Sequence, residues 1–109
     1  MEELLKEILK DLTIELKDDS NYDSDILSVK IKGAIRDVMG RRRYQAHHTK
    51  EFIKDDMNNY YSNIKRLSLY DYNQAGVEGQ TSHSENGINR SWSEREKCLD
   101  GIVPFAKVL

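Results

Sequence analysis

Three histidines, one cysteine and a run of three arginines are the side chains of this sequence best suited to chemistry. His47 and His48 are adjacent. On a helix they would point about 100° apart, and neither has a second ligand at metal-binding spacing. Their expected place is the surface or a helix cap. His83 and Glu85 lie two residues apart in a polar stretch and are of the types used in acid–base or metal work. No further ligand or nucleophile accompanies them. Cys98 has no Cys-x-x-Cys partner and no identifiable base to activate it, so it reads as a small buried hydrophobe on a last helix. Gly76-Val77-Glu78-Gly79 is not followed by the Gly-Lys-Ser/Thr of a phosphate loop. With the carboxylates scattered over charged faces, no catalytic constellation is visible. The expectation is a non-enzymatic protein without a metal or cofactor.

The run Arg41-Arg42-Arg43 is the best nucleic-acid candidate. Two readings stand: a solvated helix end facing acidic residues of the first helix, or a source of non-specific phosphate contacts. Tyr60, Tyr61, Tyr70 and Tyr72 have the chemistry of a base-stacking platform. Their helical spacing favours packing in a core or an interface instead.

The elements that must position these residues follow from hydrophobic periodicity. Leu4, Leu5, Ile8, Leu9, Leu12 and Leu16 predict an amphipathic helix from about 2 to 16, with Ile14 off its stripe. Residues 17–24 form a polar break in which Asp23 or Ser24 can cap a second helix. That helix is predicted over about 25–43, with Leu27, Ile31, Ala34, Ile35 and Val38 as its buried stripe and the arginines at the negative end of its dipole. Thr49 is a cap for a third helix predicted over about 50–71, with Ile53, Met57, Tyr60, Tyr61, Ile64, Leu67 and Tyr70 along one side. A long polar loop is expected at 73–92, with Asn86-Gly87 as a candidate hairpin turn. Ser93 and Glu96 have capping-box spacing for a short helix to Asp100, ended by Gly101. The tail 101–109 is apolar and β-prone, and should pack on the bundle or on a neighbour. The fold class is therefore all-α: a small bundle of three longer helices and a short C-terminal helix, with a long polar loop and an extended tail.

At 109 residues the chain fits a single domain, 1–109, with a modest core. Its net charge of -2 makes no global argument for nucleic acid or membrane. The charge is unevenly placed. Residues 1–25 hold nine acidic side chains against three basic ones, whereas residues 30–54 hold eight basic against two acidic. The single cysteine allows no disulfide within the chain, the acidic start Met1-Glu2-Glu3 is unlike a secretory signal, and no apolar run approaches membrane-spanning length. Assembly in the cytoplasm is the expectation.

Several stretches resemble the head–tail connector proteins of tailed bacteriophages. They are Tyr60-Tyr61-Ser62-Asn63-Ile64, Leu69-Tyr70-Asp71-Tyr72-Asn73-Gln74, the whole run from Gly76 through Trp92, and Gly101-Ile102-Val103-Pro104-Phe105-Ala106-Lys107-Val108. The resemblance covers nearly the whole length. It implies a structural virion protein, assembled in the host cytoplasm, that forms a ring of about twelve copies beneath the portal. Such a ring extends the DNA channel and receives a tail or stopper protein. Under that resemblance His83, Glu85, Asn86, Ile88, Arg90, Trp92, Phe105 and Val108 are candidate contacts with the portal or the adjacent subunit. Arg41, Arg42 and Arg43 are candidates to line the DNA channel through transient, non-specific contacts. The alternative is a small helical nucleic-acid-binding regulator of a phage, against which the sequence pI of about 5.9 and the shortness of the arginine cluster both count. A second rival is an enzyme built around His83 and Glu85, for which specific divalent-metal binding would be the supporting observation.

Overall fold

The computed structural model describes residues 1–75 and 94–105. It is mainly helical, with no strand among the described residues. Helix α1 spans Glu2–Glu15, α2 Ser24–Arg42, α3 Lys50–Asn58 and α4 Tyr61–Ala75. A single helical turn follows at 94–97.

The first two helices follow their periodicity. Leu4, Ile8 and Leu12 are buried along α1, while Ile14, off the stripe, is 58% exposed. In α2 all five stripe residues, Leu27, Ile31, Ala34, Ile35 and Val38, are buried. Asp23 is the residue that caps α2: its carboxylate accepts the amide protons of Asp25 and Ile26, satisfying donors the first turn leaves over. Thr49 caps α3 in the same way, accepting from the Phe52 amide at 3.0 Å. The most extensive pairing is α2 with α4, followed by α1 with α2. The core is one cluster in which α1 and α4 pack on α2, and Met57 of α3 and Leu99 and Ile102 of the C-terminal segment join it.

The expected third helix over 50–71 is two helices. At the break the amides of Asn59 and Tyr60 donate to the carbonyls of Asp56 and Met57, three residues back, and close a tight turn. Asn58 and Asn59 are poor helix formers, and their exposed side chains supply no packing to hold a straight rod through that point. Helical bonding restarts with the Ile64 amide on the Tyr60 carbonyl. The break lets Met57 of α3 and Ile64 and Leu67 of α4 all reach the core. Ser68, also buried, donates to the Ile64 carbonyl at 2.6 Å. At its other end α4 runs to Ala75, so residues 73–75 are helix rather than the start of the loop.

The C-terminal segment returns to the bundle. The short helix expected to 100 is helical only at 94–97, with hydrogen-bonded turns through 100. Gly101 ends it with φ of +84°, a left-handed conformation that glycine adopts without strain. Leu99 and Ile102 are then buried against the bundle, and the Phe105 amide donates to the Arg42 carbonyl at 2.9 Å. The described part of the tail is thus held by the bundle, in an irregular conformation rather than a strand.

Candidate functional site

The three consecutive arginines at the end of α2, two in its last turn and one at its C-cap, have three different surroundings. Arg42 turns inward. Its Nε and Nη2 donate to the two oxygens of Asp56 at 2.8 and 2.9 Å, and its Nη1 donates to the Val103 carbonyl at 2.6 Å. The guanidinium carbon lies 4.0 Å from the centre of the Phe105 ring and 5.2 Å from that of Tyr60. The Tyr44 hydroxyl donates to the same Asp56 carboxylate at 2.6 Å. Burial alone would raise the Asp56 pKa, but the hydrogen bonds from Arg42 and Tyr44 and the Arg42 charge outweigh it and hold the group below its usual value. Burial, followed by the Asp56 contact, raises the Tyr44 hydroxyl pKa.

Arg41 points along the surface and donates to both carboxylate oxygens of Glu96 at 2.6 Å. Arg43, just beyond the last turn, is the left-handed C-cap with φ of 51°. Its side chain is exposed and makes no ion pair among the described residues. Of the three candidate DNA-facing arginines, two are thus bound to carboxylates of their own chain and one is not. The carboxylates lie on α3 and on the C-terminal turn, and neither lies on α1.

Between the end of α2 and the C-terminal segment lies a cleft of about 540 Å³. α2 and its C-cap contribute Arg36, Asp37, Gly40, Arg41 and Arg43, and the C-terminal segment contributes Arg95, Glu96, Leu99, Ile102 and Pro104. Arg95 holds the two sides together: its Nε is 2.9 Å from Asp71 Oδ1, and its Nη2 donates to Asp37. The hydrogen bond to Asp71 leads the causes that raise the Arg95 pKa. Asn63 of α4 fastens the same segment by donating to the carbonyls of Cys98 and Asp100 at 2.9 and 3.0 Å. Arg36 and Arg43, both exposed, are the cleft arginines without an ion pair among the described residues. Sequence reasoning missed Arg36 and Arg95. Arg36 was legible as a cation on the outward side of α2, whereas Arg95 acquires its place only from the return of the C-terminal segment.

The other candidates fall as follows. His48 caps the turn before α3, its Nδ1 accepting from the Gln45 amide at 2.8 Å. Its ring stacks on Phe52 with centroids 4.7 Å apart and lies 4.5 Å from Phe105. Burial and the neighbouring His47 lower its pKa. Phe105 therefore sits among Tyr44, His48, Phe52 and Arg42 of its own chain. Cys98 is half-buried in a turn against the core, and burial raises its thiol pKa. His83, Glu85, Asn86, Ile88, Arg90, Trp92 and Val108 lie outside the described residues, as does the Ser93 cap. Among the described residues, no group of three or more histidine, cysteine or acidic side chains is placed to hold a metal. No described helix is long and apolar enough to cross a membrane.

At the opposite end of α2 is an acidic corner made by the turn from α1. The Tyr72 hydroxyl accepts from the Asp23 amide at 3.0 Å, and the Thr13 and Tyr22 hydroxyls are 2.6 Å apart. These bonds fasten the turn to α4 and α1 while Asp18, Asp19, Asp23 and Asp25 remain exposed. Among the described residues, one ion pair joins the acidic region 1–25 to the basic region 30–54: Lys54 to Glu3 at 2.8 Å.

No family model matches the chain, and no curated protein or solved structure matches it.

Proposed function

We propose that this chain is a structural subunit of a phage neck, working as a ring between portal and tail. The observation that carries the reading is the segregation of charge to opposite ends of α2. The acidic corner at its start is exposed, as are Arg36 and Arg43 toward its end, and among the described residues neither end neutralises the other. A closed ring needs two different faces of one subunit that match each other. The resemblance to connector proteins in the loop and tail supports the same reading, and the DNA channel, portal and tail-side partners come with it. In such a channel DNA slides, so cations near it would make only non-specific phosphate contacts. Of the arginine run, Arg43 alone makes no ion pair among the described residues.

The test is the mass of the purified protein in solution, alone and mixed with the portal ring of the same phage. A defined ring in either case, above all one of about twelve copies on the portal, is the expected result. A monomer that ignores the portal would sink the connector reading. Retention on heparin at moderate salt would then favour the nucleic-acid-binding alternative.

A further inference from the structure

We infer that the arginine-lined cleft at the end of α2 is a socket for the acidic α1–α2 corner of a second copy of this chain. The inference deepens the assembly reading above by naming the two surfaces that meet. The cleft has an anion's complement of donors in Arg36 and Arg43, which are exposed and make no ion pair among the described residues. Arg36 lies on the outward side of α2 and Arg43 is its left-handed C-cap, and both line the same cleft. Between them Gly40 opens the floor, and a Cβ built there meets nothing within 4 Å. Packing within the subunit therefore does not require glycine at this point, although glycine costs an exposed helix stability relative to alanine. Its absence of a side chain leaves room for a partner's backbone. The wall opposite is mixed: Arg95 and Glu96, already paired with Asp37 and Arg41, stand beside Pro104, with Leu99 and Ile102 behind them.

The corner has the matching properties. Asp18, Asp19 and Asp25 are exposed and make no ion pair among the described residues. Two exposed apolar side chains, Ile26 at 44% and Val29 at 67%, follow on the outward side of α2. Its shape is set in advance by the Asp23 cap and the Tyr72 bond, so little ordering cost remains on docking. The two surfaces cannot meet within one subunit. At 1.5 Å per residue, Asp25 is roughly 16 Å from Arg36 and 27 Å from Arg43 along a straight helix, beyond the ~8 Å screening length at physiological salt. The helix dipole accounts for Asp25 at the first turn and for Arg41 and Arg42 at the last. It does not account for Asp18, Asp19 or Arg36, nor for the exposed Ile26 and Val29. A second copy satisfies all of them by one contact, repeated head to tail.

The experiment is sedimentation and native mass measurement of the full chain, from micromolar to near-millimolar protein, at low and at molar salt. Two charge-reversed forms are compared with it, R36E/R43E and D18K/D19K, each checked for folding by its melting curve. The wild type is expected to gain mass with concentration at low salt and to lose it at high salt. Each reversed form should associate about tenfold more weakly or worse. Mixing the two reversed forms should restore association, because each then meets its opposite. If R36E/R43E melts early, R36Q/R43Q replaces it with the same expected loss. Wild-type association unaffected by either reversal overturns the socket and leaves the ring reading standing. A mass that stops at a dimer sinks both the head-to-tail socket and the ring, because such a contact leaves one socket and one corner free at the ends of a dimer. A wild type that is monomeric throughout overturns the socket; if it then binds a short DNA duplex through Arg36 and Arg43, the cleft is a phosphate site instead.

Discussion

Arg41 and Arg42 are neighbours in sequence, yet their ion pairs differ in how much water they keep. The Arg42 and Asp56 side chains are 13% and 11% exposed, whereas Arg41 and Glu96 are 44% and 36% exposed. An exposed pair contributes little, because water already solvates both charges, so Arg41→Ala should cost under about 1 kcal/mol. Removing Arg42 strands a largely buried carboxylate and frees the tail at Val103 and Phe105. Arg42→Ala should cost about 2–3 kcal/mol in denaturant unfolding, and equal losses for the two variants would show the Asp56 cluster to be energetically unimportant. Asp56 also sets an acid limit. Its folded pKa lies below its unfolded one, so its contribution is present above about pH 4 and is lost as pH falls through the folded value. Asp56→Asn should lower stability at neutral pH and flatten the acid limb of the stability profile; an unchanged limb would assign that limb to other carboxylates. His48, also depressed, has the same sign, with its window below about pH 6.5.

At the scale of the element, α2 carries both the core stripe and the two charged ends, and its outward side is where changes read most cleanly. Gly33 lies on that side, and a Cβ there meets nothing within 4 Å. Gly33→Ala should therefore stabilise the chain by about 0.8–1 kcal/mol, seen as a rise in Tm of roughly 4–8 °C. A fall would mean that the glycine serves a backbone approach within the subunit. The caps differ in what they protect. Thr49→Ala removes one accepted amide from a nine-residue helix and should cost about 1 kcal/mol, detectable as a lower denaturation midpoint. The outcome at α3 and α4 is the clearest case of periodicity misleading by being correct. The apolar residues from Ile53 to Tyr70 do share helical spacing, but spacing across a break of two residues does not say whether the rod is continuous. The two asparagines were the available signal, and their weakness as helix formers is decisive only where packing does not override it.

For the whole molecule, the assembly reading gives two further expectations. A ring held by exposed charges should loosen as the screening length falls from ~10 Å at 0.1 M to ~3 Å at 1 M salt; a ring indifferent to molar salt would assign its cohesion to apolar contacts. Trp92 lies outside the described residues, and its role is tested by comparing assembly with folding. Trp92→Ala should weaken ring formation more than it lowers the melting temperature, and equal loss of both would place the residue in the core. The tail needs a finer cut than its sequence suggests. Ile102 is buried and Phe105 docks on Arg42, so removing the segment from Ile102 onward would test folding; removing residues 106–109 alone tests a neighbour contact.

Much of the fold was written in local pattern. The α1 and α2 stripes, the off-stripe Ile14, the Asp23 and Thr49 caps and the Gly101 stop each follow from the chemistry of a few adjacent residues. Such features depend on backbone groups within one or two turns, so they are legible without knowing the rest of the chain. Tertiary structure alone decided which arginine meets which carboxylate. Arg42 with Asp56, Arg41 with Glu96, and Arg95 with Asp37 and Asp71 join residues 14 to 58 positions apart. Charge is a long-lived signal in sequence but carries no address, because any cation can pair with any anion that folding brings within reach. The cleft exists for the same reason: its two sides are assembled by the return of the C-terminal segment onto α2, and no local pattern encodes that return.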